Sequence, residues 1–185
     1  KQNWNRLNLS EGRRIDITNP VPTARESRRY EVLAVIGRGG FGTLYGANLL
    51  GKAGFAKHVA LKIPNSRAHD ADDIRRLRDE ASVLGLIRHR SIVAVDSLVL
   101  LDGKWTVVME YVNGVDLKAI LAQQGALPVR PALEIVREVA AALHVAYNTK
   151  GPSDRKLRLQ HRDVKPGNLL VTAAAEVKKI GRAHV

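Results

Sequence analysis

Residues 161–171, HRDVKPGNLLV, decide how the rest of the chain is interpreted. Asp163 and Asn168 stand five positions apart, and Lys165 lies two positions after the aspartate. A carboxylate, a lysine and an amide at this spacing suit three tasks: accepting a hydroxyl proton, neutralising a migrating phosphoryl group, and ligating Mg²⁺ through the amide oxygen. The alternative is a polar turn without a chemical role. The segments on either side decide between the two.

A long amphipathic pattern leads towards this loop. Residues 128–148 repeat apolar side chains at spacings of three and four, which predicts a helix with one apolar face formed by Leu133, Val136, Val139, Ala140, Leu143 and Tyr147. A shorter helical pattern, residues 115–125, precedes it. The chain after Gly114 is therefore predicted to be mainly helical.

The earlier part of the chain has the pattern of an antiparallel sheet. Short β-branched or alternating runs, separated by Gly-rich loops, occupy residues 30–37, 43–50 and 58–63. Residues 91–112 add a hairpin about Asp102-Gly103, and a helical pattern at 70–89 interrupts the strands. Five strands with one inserted helix, followed by helices, predict an α+β fold of two lobes joined near residues 112–114.

Polar and basic residues dominate the first 29 positions, which are broken by Asn19-Pro20-Val21-Pro22. We expect residues 1–29 to form a flexible basic extension, because they lack a periodic apolar pattern. The first lobe is then expected at residues 30–112, and part of a second lobe at 113–179.

A glycine-rich loop, IGRGGFGTLY at residues 36–45, places Gly37, Gly39 and Gly42 between two predicted strands. The dinucleotide-binding fingerprint leads from a strand into a helix, so this position excludes it. Glycines here let backbone amides approach phosphate oxygens that a Cβ would obstruct. A tight glycine hairpin without a ligand is the alternative.

Two further charged residues fit a phosphate site. Lys62 lies within the apolar run HVALKI, and Glu80 lies in the middle of the predicted helix, one turn from Leu77 and Leu84. Glu80 can therefore face the sheet and hold the Lys62 ammonium beside a ligand phosphate. Taken singly, the lysine could be an outward-facing strand residue and the glutamate a solvated helix charge.

Together these motifs resemble a protein kinase of the eukaryotic-like Ser/Thr type found in bacteria. GRGGFG resembles its glycine-rich loop, VALK its lysine strand, Glu80 the helix partner of that lysine, and HRDVKPGN its catalytic loop. The resemblance implies a protein-kinase-like α+β fold. It implies a five-stranded antiparallel first lobe with one helix, followed by the first part of a helical second lobe.

The resemblance also implies a nucleotide site. Ile36, Leu44, Ala60 and Leu170 would enclose adenine, with Leu44 replacing the usual Val. Met109 would be the gatekeeper, and Glu110 to Val112 the hinge. The cofactors implied are ATP and Mg²⁺.

Catalytic roles follow from the same resemblance. Asp163 would accept the proton of the acceptor hydroxyl, Lys62 held by Glu80 would position phosphates, and Asn168 would ligate Mg²⁺. Lys165 favours Ser/Thr over Tyr acceptors, so the implied partners are protein substrates with Ser or Thr hydroxyls. Arg162 implies regulation through a phosphorylated activation loop.

One departure from the family pattern is the segment NTKGPSDRKLRL, residues 148–159, which is longer and more basic than the usual link into the catalytic loop. We expect a solvated surface insertion. Docking of an acidic partner is the alternative.

The end of the chain departs more strongly. The family strand after the catalytic loop leads into Asp-Phe-Gly, whose aspartate chelates Mg²⁺. Alignment here puts Lys179 where an apolar residue belongs, Gly181 in place of the aspartate and Arg182 in place of the phenylalanine. Two explanations compete: a truncated kinase, which we expect to be inactive as it stands, or a pseudokinase that serves as a nucleotide-binding scaffold.

Residues 180–185, IGRAHV, are expected to be a non-native tail. One reverse translation of these residues resembles the start of a widely used short-read sequencing adapter, and the same frame would complete a Lys codon at Lys179. A natural frameshift or a divergent tail is the alternative.

Composition argues against other functional classes. The formal charge of +12 is concentrated at the ends: residues 31–149 hold fourteen basic against twelve acidic residues. With eight aromatic residues there is little stacking surface for nucleic acid, so none is expected as a partner. The chain has no cysteine and no apolar run long enough for a membrane span. We therefore expect a cytoplasmic kinase domain, and membrane anchoring outside this sequence stays open.

Overall fold

The computed structural model describes residues 14–16, 28–39, 42–65 and 71–179. The side chains of residues 14–16, 71–74, 76 and 80 lie outside this description, as do residues 180–185 and the expected tail. The described chain divides into two compact units. One contains the residues up to Ile74 together with Ser97–Tyr111, and the other contains Arg75–Asp96 and the residues from Val112 onward.

A six-stranded sheet forms the framework of the first unit. Its strands, in chain order, are β1 Arg14–Asp16, β2 Arg29–Gly39, β3 Gly42–Leu50, β4 Ala56–Pro64, β5 Val95–Leu101 and β6 Lys104–Glu110. In the sheet they lie in the order β1-β2-β3-β4-β6-β5. The five strands expected from the sequence are β2 to β6, so the α+β fold class is confirmed. The short β1 adds a sixth, because Arg14–Asp16 pairs with Arg29 to Glu31 although we expected it within a flexible extension.

One face of this sheet buries an apolar cluster: Tyr30, Val32, Tyr45, Ala47, Val59, Leu61, Ile63, Leu101 and Val108. The alternation of these residues along β2 to β4 is the period-two pattern of a strand with one buried face. Each fully buried aliphatic side chain contributes about 1.5–3 kcal/mol. The sheet is therefore held by long-range packing as well as by its hydrogen bonds.

The turn between β5 and β6 has the predicted form. Asp102 and Gly103 adopt positive φ values of 44° and 74°. Positive φ at both central residues is characteristic of a type I′ hairpin turn, which Asp-Gly favours.

The second unit combines helices with a small sheet. It begins within α1, Ala71–Leu84, at Arg75. Its further elements are β7 Gly114–Asp116, α2 Leu117–Gln124, α3 Val129–Asn148, β8 Leu169–Thr172 and β9 Val177–Lys179. β8 lies between β7 and β9, and both pairings are antiparallel. Asp116 caps α2 by accepting a 2.8 Å hydrogen bond from the amide of Ala119.

Glycine is required where β7 meets β8. A Cβ at position 114 would lie 2.9 Å from the carbonyl oxygen of Val171, closer than real Cβ atoms come. The close approach lets β8 lie directly beside β7, and β8 begins immediately after the loop of residues 161–168.

Two apolar clusters hold this unit together. One consists of Ile87, Ile92, Ala142, Ala146 and Leu159, and the other of Leu117, Val139, Leu169 and Val177. Both use residues of α3, and both include a residue next to the loop at 161–168. The loop is therefore anchored at each end by a buried leucine, Leu159 before it and Leu169 after it.

Candidate active site

The loop at residues 161–168 gathers the three residues that the sequence singled out. Lys165 Nζ lies 2.9 Å from Asp163 Oδ1, and the Asn168 amide donates a 3.0 Å hydrogen bond to Asp163 Oδ2. The same amide donates to the backbone carbonyl of Asp163 at 2.8 Å. Pro166–Asn168 forms a single 3-10 turn, which brings Asn168 back towards the aspartate. Both carboxylate oxygens of Asp163 are thus oriented by neighbours within five positions of the chain.

These contacts change the acidity of the aspartate. The hydrogen bond from Lys165, and then that from Asn168, hold the pKa of Asp163 below its ordinary value. The carboxyl is therefore ionised at neutral pH and can accept a hydrogen bond from a hydroxyl. About half of the side chain is exposed, so an acceptor group can reach it.

The residues just before Asp163 position it. His161 is buried, with 5% of its surface exposed, and its Nδ1 accepts a 3.3 Å hydrogen bond from the amide of Asp163. Arg162 has a φ of 56°, a left-handed conformation that is uncommon for a residue with a Cβ. Arg162 and Asp163 are exposed, whereas His161 is buried.

Beyond the loop, β8 and β9 place two further residues. Leu170, expected to contact adenine, pairs with Asp116 on one side and Lys178 on the other, and is half-buried. Lys179 pairs with Leu169 and is only 6% exposed. Burial lowers the pKa of Lys179 from 10.5 to about 8. The family pattern places an apolar residue at this position. The burial of Lys179 in the structure is that of an apolar side chain.

In the first unit, β2 and β3 carry the glycine-rich loop. Gly37 pairs with Leu44 and Gly39 with Gly42, while residues 40 and 41 at the tip lie outside the described part. A Cβ at Gly42 would lie 2.4 Å from the Ile63 carbonyl oxygen, so a larger residue would push β3 away from β4. Glycine at position 42 is therefore required for the pairing of β3 with β4, and phosphate binding by this loop stays a prediction.

The β4 strand carries Lys62 at the level of the same loop. Lys62 pairs with Leu44 on β3 and with Val107 on β6, and it is half-buried. Glu80 lies in α1, but its side chain is outside the described residues. The Lys62–Glu80 ion pair accordingly stays a prediction.

The other residues expected to contact adenine lie on neighbouring strands of this unit. Ala60 is buried and pairs with Met109, the expected gatekeeper. Glu110 is the last residue of β6 and pairs with Val59, and Ile36 on β2 is exposed. Val112, the last expected hinge residue, follows in an unpaired segment and is half-buried.

Tyr111 lies inside the expected hinge, Glu110 to Val112, but its side-chain contacts were not foreseen from the sequence. A Cβ at Gly46 would lie 3.4 Å from Ile36 Cγ2 and 3.5 Å from Tyr111 Cε2, so both side chains lie over this glycine. The His58 ring meets the Tyr111 ring edge-on, with 5.7 Å between centroids. The only sign of this in the sequence is that Gly46 lies two positions from Leu44 and so shares its face of β3. The sequence pattern does not show which aromatic ring covers Gly46.

The amide oxygen of Asn168 fits the role of a Mg²⁺ ligand. The Asn168 amide nitrogen is used by Asp163, which leaves its amide oxygen facing no donor among the described residues. Carboxylate and amide oxygens are the ligands that Mg²⁺ takes up in proteins. No cluster of three or more His, Cys, Asp or Glu side chains occurs in the described part of the chain.

Comparison with known proteins identifies the family. A family model described as the protein kinase domain matches residues 30–181. The chain belongs to the protein kinase domain family. The match includes the glycine-rich loop, Lys62 and the loop around Asp163, in that order.

Relatives within the family include bacterial enzymes. The chain is 36% identical over 146 residues to the serine/threonine-protein kinase PknD of Mycobacterium tuberculosis, covering 78% of this chain and 20% of that protein. It is 34% identical over 155 residues to the serine/threonine-protein kinase PrkC of Bacillus subtilis, covering 83% of this chain and 22% of that protein. It is 29% identical over 164 residues to the tyrosine-protein kinase MasK of Myxococcus xanthus, covering 85% of this chain and 25% of that protein. The chain thus spans a quarter or less of the length of these relatives.

Solved structures show the same fold. The crystal structure of the PknI kinase domain of Mycobacterium tuberculosis superposes with a TM-score of 0.65 at 30% identity, covering 82% of this chain and 58% of that one. Among the described residues, no helix combines the length and apolarity needed to cross a membrane.

Proposed function

We propose that this chain supplies the nucleotide-binding lobe and the catalytic loop of an ATP- and Mg²⁺-dependent protein kinase that phosphorylates Ser and Thr hydroxyls. The observation that carries the proposal is the arrangement around Asp163, whose carboxylate is ionised and oriented by Lys165 and Asn168. A carboxylate held in this way can accept a hydrogen bond from an acceptor hydroxyl and take its proton as phosphoryl transfer proceeds.

Each remaining residue has a role in this proposal. Bound ATP would supply the phosphoryl group, and Mg²⁺ would neutralise charge on the phosphates. Asn168 would hold the metal through its amide oxygen, and Lys62, with Glu80, would orient the phosphates. Ile36, Leu44, Ala60 and Leu170 would contact the adenine, beside the hinge at Glu110 and Val112.

The choice of Ser and Thr over Tyr depends on Lys165. The relatives PknD and PrkC are named serine/threonine kinases, whereas MasK is named a tyrosine kinase, so the family alone does not decide the acceptor. Lys165 contacts Asp163, so its ammonium occupies the space beside the carboxylate. We infer that an aliphatic hydroxyl fits there better than a bulky phenol.

The experiment compares the full-length gene product with its Asp163→Asn variant. With Mg²⁺ and ATP, phosphate transfer to matched Ser, Thr and Tyr peptides is measured. We expect transfer to Ser and Thr, and a loss of about 10²–10⁴-fold in the variant. Asp102→Asn is the matched control, because Asn-Gly suits the turn at residues 102–103 and keeps activity intact.

The competing proposal, a pseudokinase scaffold, gives a different result. A full-length protein that binds nucleotide but transfers no phosphate with Mg²⁺ or Mn²⁺ would support it. Transfer mainly to Tyr would instead overturn the acceptor assignment and leave the kinase assignment in place. We expect the 185-residue chain by itself to be inactive, because Gly181 aligns with the metal-binding aspartate.

A further inference from the structure

The link between α3 and the catalytic loop folds as a hairpin, which we call the basic hairpin, residues 149–158. The Leu157 amide donates to the Thr149 carbonyl at 2.8 Å, and the Gly151 amide donates to the Arg155 carbonyl at 2.9 Å. Lys150 and Lys156 form an antiparallel bridge between these bonds. The segment that we expected as a surface insertion therefore has a defined backbone.

Apolar contacts fix the hairpin to the second unit. Leu157 packs against the cluster that contains Ala146 and the buried Leu159. A Cβ at Gly151 would lie 2.7 Å from Leu157 Cδ2, so the turn closes tightly over this leucine. Because one leucine is directed inwards, the polar residues of the hairpin are presented to solvent.

The solvent side of the hairpin carries an excess of positive charge. Residues 149–158 contain four basic residues and one acidic residue. Lys150 Nζ contacts both carboxylate oxygens of Asp154, at 2.8 and 3.0 Å. Arg155, Lys156 and Arg158 are exposed, and no carboxylate of the described residues pairs with any of them. Lys156 contacts a neutral group, the amide oxygen of Asn148, at 2.8 Å.

The helix that leads into the hairpin provides a contrast. On α3, Arg130 pairs with Glu134 at 3.4 Å, and Glu138 pairs with Arg137 at 3.2 Å and with Arg90. The basic groups of α3 are therefore balanced by carboxylates of the same helix. The excess of positive charge is therefore a property of the basic hairpin and is not shared by α3.

We propose that the basic hairpin is a docking surface for an acidic segment of a partner protein. Arginine guanidinium groups bind carboxylates with two parallel hydrogen bonds, and three uncompensated cations within four positions attract a short run of Asp or Glu. The hairpin contains no aromatic residue on which a nucleobase could stack. Its leucine is turned inwards, so it offers no apolar group for insertion into a membrane. The proposal does not depend on phosphoryl transfer.

Binding is tested with the 185-residue chain and a short fluorescent peptide of alternating Glu and Ser, by fluorescence anisotropy. We expect the peptide to bind, its Gln counterpart not to bind, and the affinity to fall as salt rises, since exposed charges are screened. The triple variant Arg155→Gln, Lys156→Gln, Arg158→Gln should bind about tenfold more weakly, because exposed ion pairs each contribute little and three are lost.

A second variant should act in the opposite direction. Asp154→Asn releases Lys150 from its ion pair and adds one net positive charge to the hairpin. The φ of 58° at position 154 is one that Asn adopts readily, so the turn is retained. We expect tighter peptide binding, an outcome that a purely structural role of the hairpin would not produce.

The matched control removes two arginines and one lysine that are exposed elsewhere: Arg75→Gln, Arg88→Gln and Lys118→Gln. Equal weakening in this control would show attraction to net charge and overturn the proposal. Tighter binding of a single-stranded oligothymidine or of anionic phospholipid vesicles than of the peptide would overturn it as well. Phosphotransfer is not measured, so failure here leaves the proposed kinase activity untouched.

Discussion

Asp163 and Lys179 are charged residues of the same unit, yet they meet opposite surroundings. Asp163 is half exposed, and its carboxylate is paired with Lys165 and Asn168. Lys179 is 6% exposed, pairs through its backbone with Leu169, and has no carboxylate partner among the described residues. In the first case the neighbours stabilise the charged form, and in the second the loss of hydration destabilises it. Asp163 therefore fits its position chemically, whereas Lys179 occupies a position built for an apolar side chain.

The largest expected effect is that of replacing Lys179 with Leu. A pKa lowered from 10.5 to about 8 corresponds to about 3 kcal/mol of unfavourable free energy at neutral pH. We expect Lys179→Leu to raise the free energy of unfolding of the chain by about this amount at pH 7. Urea denaturation followed by circular dichroism measures it, with Lys178→Leu on the half-buried neighbouring position as control.

The pH dependence tests the same cause. Between about pH 8 and pH 10.5 the unfolded chain binds a proton at Lys179 that the folded chain has lost, so stability rises with pH across this window. The gain from Lys179→Leu should therefore shrink as the pH approaches 10.5. A gain that is constant with pH would show that burial of the charge is not its origin.

DNA sequence gives a further test of why Lys179 stands there. We expect the codons for residues 180–185 to spell the adapter sequence, in which case part of the Lys179 codon is also foreign to the gene. A different spelling, for example CGC for Arg182, would reject the adapter origin. The mismatch at Lys179 would then belong to the protein, and the pseudokinase scaffold would gain support.

Local features of the fold and site were predictable from the sequence. Lys165 and Asn168 both contact Asp163 and lie within five positions of it, and the Asp102-Gly103 turn depends on two adjacent residues, so short patterns contain the needed information. The contacts that were missed join distant positions. Arg90 reaches Glu138 across 48 positions, and Ile36 and Tyr111 meet over Gly46. Periodicity predicts which face of an element is buried but not which partner covers it.

A smaller effect is expected from Asp163→Leu, which places an apolar side chain at the polar position. Because Asp163 is exposed, little burial energy is gained or lost, and the free energy of unfolding at pH 7 should change far less than in Lys179→Leu. Parallel urea denaturation of the two variants measures the difference. A destabilisation by Asp163→Leu as large as the stabilisation by Lys179→Leu would break the comparison, because it would give the catalytic loop a dominant structural role.

The smallest effect concerns the acidity of Asp163 itself. The hydrogen bond from Lys165 is the main cause of the lowered pKa, so Lys165→Met should move the pKa of Asp163 back towards its ordinary value of 3.8. A carboxylate with a lowered pKa stabilises the folded state above pH 3.8, and this contribution is lost as the pH falls through the folded-state pKa. The variant should therefore lose a little stability at neutral pH, and its free energy of unfolding should decline less on acidification.

Carbon-detected NMR titration of the Asp163 carboxyl measures the pKa shift. The control is Lys150→Met, which removes the partner of Asp154 instead. An unchanged Asp163 pKa in Lys165→Met would show that other neighbours, Asn168 and His161, set the acidity, and Lys165 would then lose its part in preparing the carboxylate.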